Sequence, residues 1–209
     1  MMGQDDPRER TDSQDIEASL ERPQAFAPIF QRHSGSVYRY VMKRVGPTDA
    51  EDLVGETFAT AFRSRSSYEL SRPDARPWLF GIATNVIHHY WRSEARRRRR
   101  DAASTTGIIS EDHSDDVLES MFYSSQEDVI AQALGDLDPV QLDVLLLVAG
   151  PGLTYEEVSE ALGVPVGTVR SRLSRARTQL RELLSESRQY LEGEASSQEQ
   201  PPIAVEGTQ

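Results

Sequence analysis

Apolar residues recur at intervals of three and four in two blocks of the chain, roughly residues 22–100 and 127–190. This spacing places them on one side of an α-helix, and neither block shows the alternation that predicts a strand. Residues 1–21 and 191–209 are polar, acidic and without a period, which predicts disordered tails. Residues 101–126 are acidic and rich in Ser and Thr, which predicts a flexible linker. The pattern therefore predicts an all-α protein of two small helical domains joined by that linker.

Two helices are predicted between residues 48 and 100 of the first block. Thr48 and Glu51 have the spacing of a capping box, so a helix should begin there and end near Arg63. After a stretch with two prolines, a second helix should run from Trp78 through the arginines that end at Arg100. The predicted apolar stripes are Leu53, Val54, Phe58, Ala61 and Phe62 in the first helix, and Leu79, Ile82, Ala83, Val86 and Tyr90 in the second.

The opposite side of that second helix carries candidate nucleic-acid contacts. An amide, an imidazole and a column of guanidinium groups lie there: Asn85, His88, Arg92, Arg96 and Arg99. Trp91 flanks them, and basic side chains beside exposed aromatics suit single-stranded nucleic acid, because charge meets the backbone and rings stack on unpaired bases. Two alternatives stay open: Trp78 and Phe80 are at least as well explained as core aromatics, and the arginines as a solvated charge run.

The second block predicts a helix-turn-helix. Thr154 and Glu157 form another capping box, which opens a short helix that Gly163 ends. A longer helix follows over about 166–187. Two helices joined by a short turn with glycine are typical of the helix-turn-helix that binds DNA.

The longer helix has the composition of a recognition helix, with five Arg and no acidic residue over positions 164–181. A recognition helix lies with its first turns at base edges in the major groove, which predicts Arg170, Ser171, Ser174 and Arg175 as readers. Thr168, Arg172 and Arg177 complete the candidate DNA contacts, with the two arginines better placed for phosphates. The alternative is an ordinary amphipathic helix of a bundle.

Charge along the chain revises what its average suggests. The 209 residues have 23 Lys+Arg against 34 Asp+Glu and a net charge of −11, which as a bulk property argues against binding nucleic acid. Residues 29–100, however, carry +7 and residues 101–129 carry −8. All but one of the basic residues are arginine, which binds phosphate and guanine edges with two hydrogen bonds. A GC-rich coding sequence explains the preference for arginine equally well.

Composition also excludes several classes of chemistry. The chain has no cysteine, and its four histidines lack zinc spacing, so we expect no metal site and no cofactor. No nucleophile–base pair or phosphate-binding glycine loop is present, so we expect neither catalysis nor a small-molecule substrate. The longest apolar run, Val144 to Ala149, is too short to span a bilayer, and the acidic N-terminus differs from a signal peptide. These features predict a cytoplasmic protein without membrane insertion.

The chain resembles bacterial sigma-70 family factors of the extracytoplasmic-function type, which have only sigma domains two and four. The resemblance rests on three runs in this order: AEDLVGETF over 50–58, PWLFGIATN over 77–85, and LTYEE over 153–157 followed by GVPVGTVRSRLSRAR over 163–177. It covers residues 22–100 and 127–187 and implies core RNA polymerase and promoter DNA as partners, with an anti-sigma factor as a further candidate.

The resemblance also implies a division of labour. Asp49, Asp52, Leu53, Glu56 and Phe58 would bind core polymerase. The loop 64–77 and the helix after it would capture the melted minus-10 element, with Trp78, Asn85, His88, Trp91, Arg92, Arg96 and Arg99 as contacts. The recognition helix would read the minus-35 element through Thr168, Arg170, Ser171, Arg172, Ser174, Arg175 and Arg177. The acidic linker would run through the polymerase toward the RNA path.

Two positions depart from the family pattern, and two other functions remain open. Gly55 stands where many members carry Gln, and His89 where Asp is common, so the polymerase contact and the minus-10 preference should differ. The alternatives to a sigma factor are a helix-turn-helix regulator that binds duplex DNA without polymerase, and a helical adaptor whose basic faces bind an acidic partner.

Overall fold

The computed structural model describes residues 10–104 and 126–198, with side chains described over 10–101 and 129–185. The α-helices are α1 (Asp12–Glu21), α2 (Ala27–Val45), α3 (Pro47–Ser64), α4 (Arg76–Ser104), α5 (Gln126–Gly135), α6 (Pro139–Ala149), α7 (Tyr155–Leu162) and α8 (Val166–Gln198). Short 3-10 helices occupy Pro23–Phe26 and Arg65–Ser67. The described ranges contain no strand, so the all-α prediction is confirmed, and none of their helices is apolar over a length that would cross a membrane.

The chain divides into two compact units whose limits differ from the predicted domains. Of the described residues, 10–104 and 143–173 fall in one unit, and 126–142 and 174–198 in the other. Helix α7 and the first two turns of α8 therefore belong to the same unit as the N-terminal block. The predicted linker lies almost wholly outside the described residues.

Helices α2, α3 and α4 form the core of the first unit. The ring of Tyr40 in α2 meets Phe80 of α4 edge-on at 5.4 Å, and its hydroxyl lies 2.8 Å from that of Thr84. Thr84 also donates to the carbonyl oxygen of Phe80 at 2.8 Å, which satisfies its hydroxyl inside the core. The core interpretation of Phe80 is correct, since this residue is fully buried.

The predicted buried stripe of α4 is wrong in phase. Leu79 and Ala83 are buried as expected, but Ile82, Val86 and Tyr90 are only half-buried. The other buried positions of this stretch are Phe80, Gly81, Thr84 and Ile87. Helix α4 contacts α2 and α3 and also α7, so its buried surface is wider than a single stripe.

Helix α1 corrects the predicted disordered tail over residues 12–21. Thr11 caps it by accepting from the Gln14 backbone N–H, and the side-chain oxygen of Gln14 accepts from the Thr11 backbone N–H. Ile16 is fully buried, but its companions on the buried side are Asp12, Asp15 and Ser19. Because polar residues occupy that side, no apolar period indicates the helix. Residues 1–9 of the predicted tail lie outside the described range.

One predicted capping box is wrong and the other is confirmed. Helix α3 begins at Pro47 after Gly46, whose φ of +81° suits glycine, and no side chain caps it, so Thr48 and Glu51 are not a box. Thr154, by contrast, accepts from the backbone of Glu157 at 3.2 Å and donates its own N–H to the Glu157 carboxylate at 2.7 Å.

The predicted recognition helix, α8, has the expected buried stripe. In α8, Val169, Leu173 and Ala176 are buried and Leu180 is half-buried, as expected. The helix continues to Gln198, past the predicted end near 187 and into the predicted tail over 191–209.

The second unit includes α5, the start of α6 and the later part of α8. Ala133, Leu137 and Leu142 are its buried apolar residues between 129 and 142. Gln179 of α8 donates from its side-chain amide to the carbonyl oxygen of Asp136 at 3.1 Å, which fixes α8 against the end of α5.

Candidate nucleic-acid interface

The predicted polymerase-binding carboxylates lie on α3 one turn apart. Asp52 and Glu56 are exposed, and Glu56 accepts hydrogen bonds from Arg63 at 2.9 Å and from Thr60 at 3.2 Å. Asp49 is half-buried and accepts from the hydroxyl of Tyr90 in α4 at 2.9 Å, so it helps to hold α4 against α3. The open acidic surface of α3 is therefore centred on Asp52 and Glu56.

Phe58 is a core residue, as its place on the predicted apolar stripe of α3 indicates, so it has little surface for the polymerase contact that the resemblance implies. It is 6% exposed, and the ring of Phe30 in α2 packs edge-on against it at 4.9 Å. Phe30 is itself 48% exposed, while Leu53 is half-buried. Phe30 was not predicted as a contact. The sequence did contain a signal for it, because this large aromatic residue lies one position away from the buried spacing of α2 at 29, 33, 37 and 41.

The exposed side of α4 presents most of the predicted strand-capture residues. Asn85 and Arg92 are exposed, as are Arg96 and Arg99. Trp91 is 40% exposed, with its ring edge-on against Tyr90 at 5.1 Å. This side of the helix therefore combines an open aromatic ring, an amide and several guanidinium groups, the set that unpaired bases and their phosphates require.

His88 is half-buried, and one of its ring nitrogens is engaged with a buried carboxylate. Its Nε2 lies 2.8 Å from Oδ2 of Asp143, a residue of α6. Asp143 is 2% exposed and also pairs with Arg44 of α2 at 2.8 Å. No third ligand joins this pair: within the described residues, no three His, Asp or Glu side chains are grouped to hold a metal ion.

Helix α7 packs closely on α4 and neutralises basic residues beside it. A Cβ added to Gly81 of α4 would lie 2.5 Å from the carbonyl oxygen of Ala161, so only glycine allows this approach. Arg72 forms an ion pair with Glu160 of α7, and Arg76 lies 3.9 Å from Glu157. Basic groups near the start of α4 thus face carboxylates of the helix-turn-helix.

The loop before α4 is held by its own aromatic residue. Tyr68 is buried, its ring packs on that of Trp78 with a centroid separation of 5.0 Å, and its hydroxyl donates to the carbonyl oxygen of Arg72 at 2.7 Å. Burial raises the pKa of Tyr68 to about 12, so the phenol remains a donor at neutral pH. Trp78 is half-buried, so part of its side chain packs in the core and part remains accessible from the surface.

The predicted readers of α8 are accessible. Arg170, Ser171, Ser174, Arg175 and Arg177 are exposed, whereas Thr168 and Arg172 are half-buried. The hydroxyl of Ser171 donates to the carbonyl oxygen of Thr168 at 3.0 Å, one turn earlier. The arrangement agrees with a helix that presents its first turns to a groove.

Family models for sigma-70 region 2 and sigma-70 region 4 match residues 29–97 and 127–180. The first match covers α2, α3 and most of α4, and the second runs from α5 into α8. Both matches fall within the blocks that carry the candidate surfaces, and α1 precedes them.

Individual relatives agree with these matches. The chain is 34% identical over 159 residues to the ECF RNA polymerase sigma factor SigE of Mycolicibacterium smegmatis, which covers 75% of this chain but only 60% of that relative. It is 32% identical over 165 residues to the RNA polymerase sigma factor CarQ of Myxococcus xanthus, covering 78% of this chain and 90% of that one. The sigma factor RpoE, in complex with the anti-sigma factor NepR from Bartonella quintana, matches with a TM-score of 0.57 at 26% identity over 78% of this chain and 98% of that one.

Proposed function

This chain belongs to the extracytoplasmic-function sigma factors of the sigma-70 family, and we propose that it binds core RNA polymerase and directs initiation at promoters it selects. One observation carries the proposal: a single chain holds an exposed face on α4 with an aromatic ring, an amide and guanidinium groups, and a helix α8 whose first part, residues 166–181, has five arginines and no acidic residue. A regulator of duplex DNA needs only the second of these. Promoter opening requires both.

The polymerase contact is assigned to α3 and its neighbour α2. Asp52 and Glu56 supply exposed carboxylates, and Phe30 supplies an exposed ring on the same pair of helices. Aromatic anchors surrounded by polar groups are typical of protein interfaces. Phe30 therefore takes the role that the sequence predicted for Phe58, and Gly55 between the carboxylates leaves them without a neighbouring amide.

Strand capture is assigned to the loop over 68–75 and to α4. Asn85 and Arg92 contact the unpaired strand, Trp91 stacks on a base, and the arginines beyond it contact phosphates. Opening a duplex costs on the order of 1.4 kcal/mol per base-pair step in lost stacking. Capture by stacking contributes about 1–3 kcal/mol per base, so a few captured bases offset the cost of opening.

Duplex reading is assigned to α8. Arg170, Ser171, Ser174 and Arg175 face base edges of the minus-35 element, and Arg172 and Arg177 contact phosphates. Each contact alone is weak. Because polymerase holds the strand-capture face of α4 and the reading face of α8 on one DNA molecule, binding at one face raises the effective concentration of DNA at the other.

The remaining roles follow from this assignment. Bond formation belongs to the polymerase, so the chain itself is proposed to be a non-enzymatic factor located with polymerase in the cytoplasm. An anti-sigma protein is proposed as an additional partner, since the similar sigma factor RpoE is found in a complex with NepR. Covering Asp52, Phe30 or the exposed side of α4 is sufficient for such a partner to block function.

Run-off transcription by core polymerase on a promoter library, with and without this chain, tests the proposal. The expected result is a set of new transcripts that share an upstream and a downstream motif, and their loss with Asp52→Ala. If no transcript appears while the chain alone protects duplex DNA from nuclease, it is a regulator that acts without polymerase. If neither occurs, an adaptor function replaces both.

A further inference from the structure

Asp12, the first residue of α1, is a buried carboxylate that joins three parts of the fold. It is 6% exposed, and Oδ2 accepts hydrogen bonds from Nε2 of His33 at 2.8 Å and from the backbone N–H of Ala75 at 2.8 Å. Oδ1 accepts from the guanidinium group of Arg32. The Asp12 backbone N–H in turn donates to the carbonyl oxygen of Pro73 at 3.1 Å. Asp12 therefore holds the loop before α4 through one side-chain oxygen and its backbone N–H.

These contacts act on the main chain of the loop. Residues 73 and 75 are held through a carbonyl oxygen and an N–H, so Asp12 acts on their backbone whatever their own side chains are. Ala75 directly precedes α4 and accepts from the N–H of Leu79 at 2.9 Å, so the same contact also sets where the helix begins. A negative charge at this end of a helix is favourable, because the first backbone N–H groups carry partial positive charge.

Helix α1 holds the other end of the loop as well. The carbonyl oxygen of Ser19 accepts from Nε of Arg65 at 3.3 Å, where α3 ends. Arg65 also lies over the ring of Phe62 with 4.0 Å between its guanidinium carbon and the ring centre. The loop that leaves α3 and enters α4 is thus fixed to α1 at both ends.

We propose that Asp12 is a positioning residue for minus-10 recognition, which fixes the backbone of residues 73–75 and so sets which base the loop accepts. It acts through the loop and does not touch DNA. The inference rests on the proposed function, in which the loop over 68–75 captures the melted strand. It adds α1, which lies before the residues that the region 2 model matches, to the elements that determine promoter choice.

Asp15 provides a matched control. It is 3% exposed, lies one turn along the same helix, and shares the guanidinium group of Arg32 with Asp12. Its other ion pair is with Arg10 at 3.3 Å, and it makes no hydrogen bond to the loop among the described residues. Replacing either carboxylate leaves Arg32 with one partner fewer, but only replacement of Asp12 removes the acceptor of the Ala75 N–H, while the backbone bond from residue 12 to Pro73 remains in both variants.

The experiment is run-off transcription with core polymerase and the full chain on promoters substituted singly in the minus-10 or minus-35 element. For Asp12→Ala we expect discrimination between minus-10 bases to fall by about tenfold, the size of one lost base preference. Discrimination at minus-35 stays unchanged, and Asp15→Ala keeps both preferences. Asp12→Asn, which retains one acceptor oxygen, gives an intermediate loss.

A second measurement reports on the loop without polymerase. Amide hydrogen exchange at Ala75 in the free chain should accelerate in Asp12→Ala and not in Asp15→Ala, because only the former removes the acceptor. Unchanged minus-10 discrimination in Asp12→Ala overturns the inference while leaving the proposed function intact. Equal losses in both variants, or failure of Asp12→Ala and Asp12→Asn to fold, also overturn it, since Asp12 then serves stability alone. Absence of any transcript with the unsubstituted chain overturns the proposed function itself.

Discussion

Nε2 of His88 lies 2.8 Å from Oδ2 of Asp143, which joins the predicted strand-capture helix to the segment that leads into the helix-turn-helix. Asp143 is buried and pairs on its other oxygen with Arg44, whose side chain is 5% exposed. One ring nitrogen of His88 is engaged in this arrangement, while its side chain stays 35% exposed. A contact between paired His88 and DNA is left to its other ring nitrogen, Nδ1.

Asp143→Ala should destabilise the fold by about 3–5 kcal/mol, because it leaves the buried guanidinium group of Arg44 without its partner. Glu51→Ala, at an exposed position of α3, should change the free energy of unfolding by less than about 0.5 kcal/mol. Chemical denaturation of both variants measures the difference. Equal effects would show that Arg44 is adequately solvated without Asp143.

Glu160→Gln should raise the affinity of the free chain for single-stranded minus-10 DNA at low salt, because it removes one of the two carboxylates that pair with Arg72, the other being Glu69. An exposed pair contributes about 0–1 kcal/mol, so the gain is at most about fivefold. Glu156→Gln on the same helix removes the same charge without an arginine contact, and fluorescence anisotropy compares the two. Equal gains would mean that net charge alone matters.

Thr154→Ala should cost about 1 kcal/mol of stability through loss of the cap of α7. Thr48→Ala is the informative comparison, since α3 begins without a side-chain cap and the same substitution there should cost close to nothing. Thermal or chemical unfolding distinguishes the two positions. A comparable loss at Thr48 would contradict the start of α3 at Pro47.

Arg175→Ala should cost about 1–3 kcal/mol at one position of the minus-35 element, as expected for a lost base contact. Arg172→Ala should weaken binding to all sequences alike and lower the salt dependence by about one phosphate contact. Holoenzyme binding to upstream variants at several salt concentrations measures both. Identical profiles would show that the assignment of Arg175 to a base and of Arg172 to a phosphate is wrong.

Burial lowers the pKa of His33 from 6.5 to about 4, so this ring is neutral in the folded chain at neutral pH. The unfolded chain takes up the proton first as pH falls, so the free energy of unfolding decreases between about pH 6.5 and pH 4, by at most about 1.4 kcal/mol per pH unit. In His33→Gln there is no imidazole to take up this proton, so the decrease in the free energy of unfolding that it causes disappears. Denaturation at several pH values should give curves that diverge between the two proteins, and parallel curves would contradict the assignment.

Local signals in the sequence predicted local structure well. The box at Thr154 and Glu157 and the stripe through Val169, Leu173 and Ala176 depend on neighbours within one or two turns, and both are present. The start of α3 was mispredicted because Gly46 and Pro47 together begin a helix without any side-chain cap.

Features that depend on distant partners could not be predicted. Asp12 is buried because Arg32, His33 and the backbone of Ala75 surround it, and no pattern within α1 indicates those contacts. Gly81 is required by the approach of Ala161, eighty residues later. The wide buried surface of α4 has the same cause, since a helix packed on several sides has no single apolar stripe.

Permanganate reactivity of promoter DNA tests the central claim most directly, because this reagent oxidises thymines that are unpaired. With core polymerase and this chain together, thymines of the minus-10 element should become reactive, and substitution of Arg92 and Trp91 by Ala should abolish that reactivity while upstream protection persists. Neither polymerase nor the chain alone should produce it. Upstream protection by the chain without polymerase, and no reactive thymine when both are present, would contradict the account.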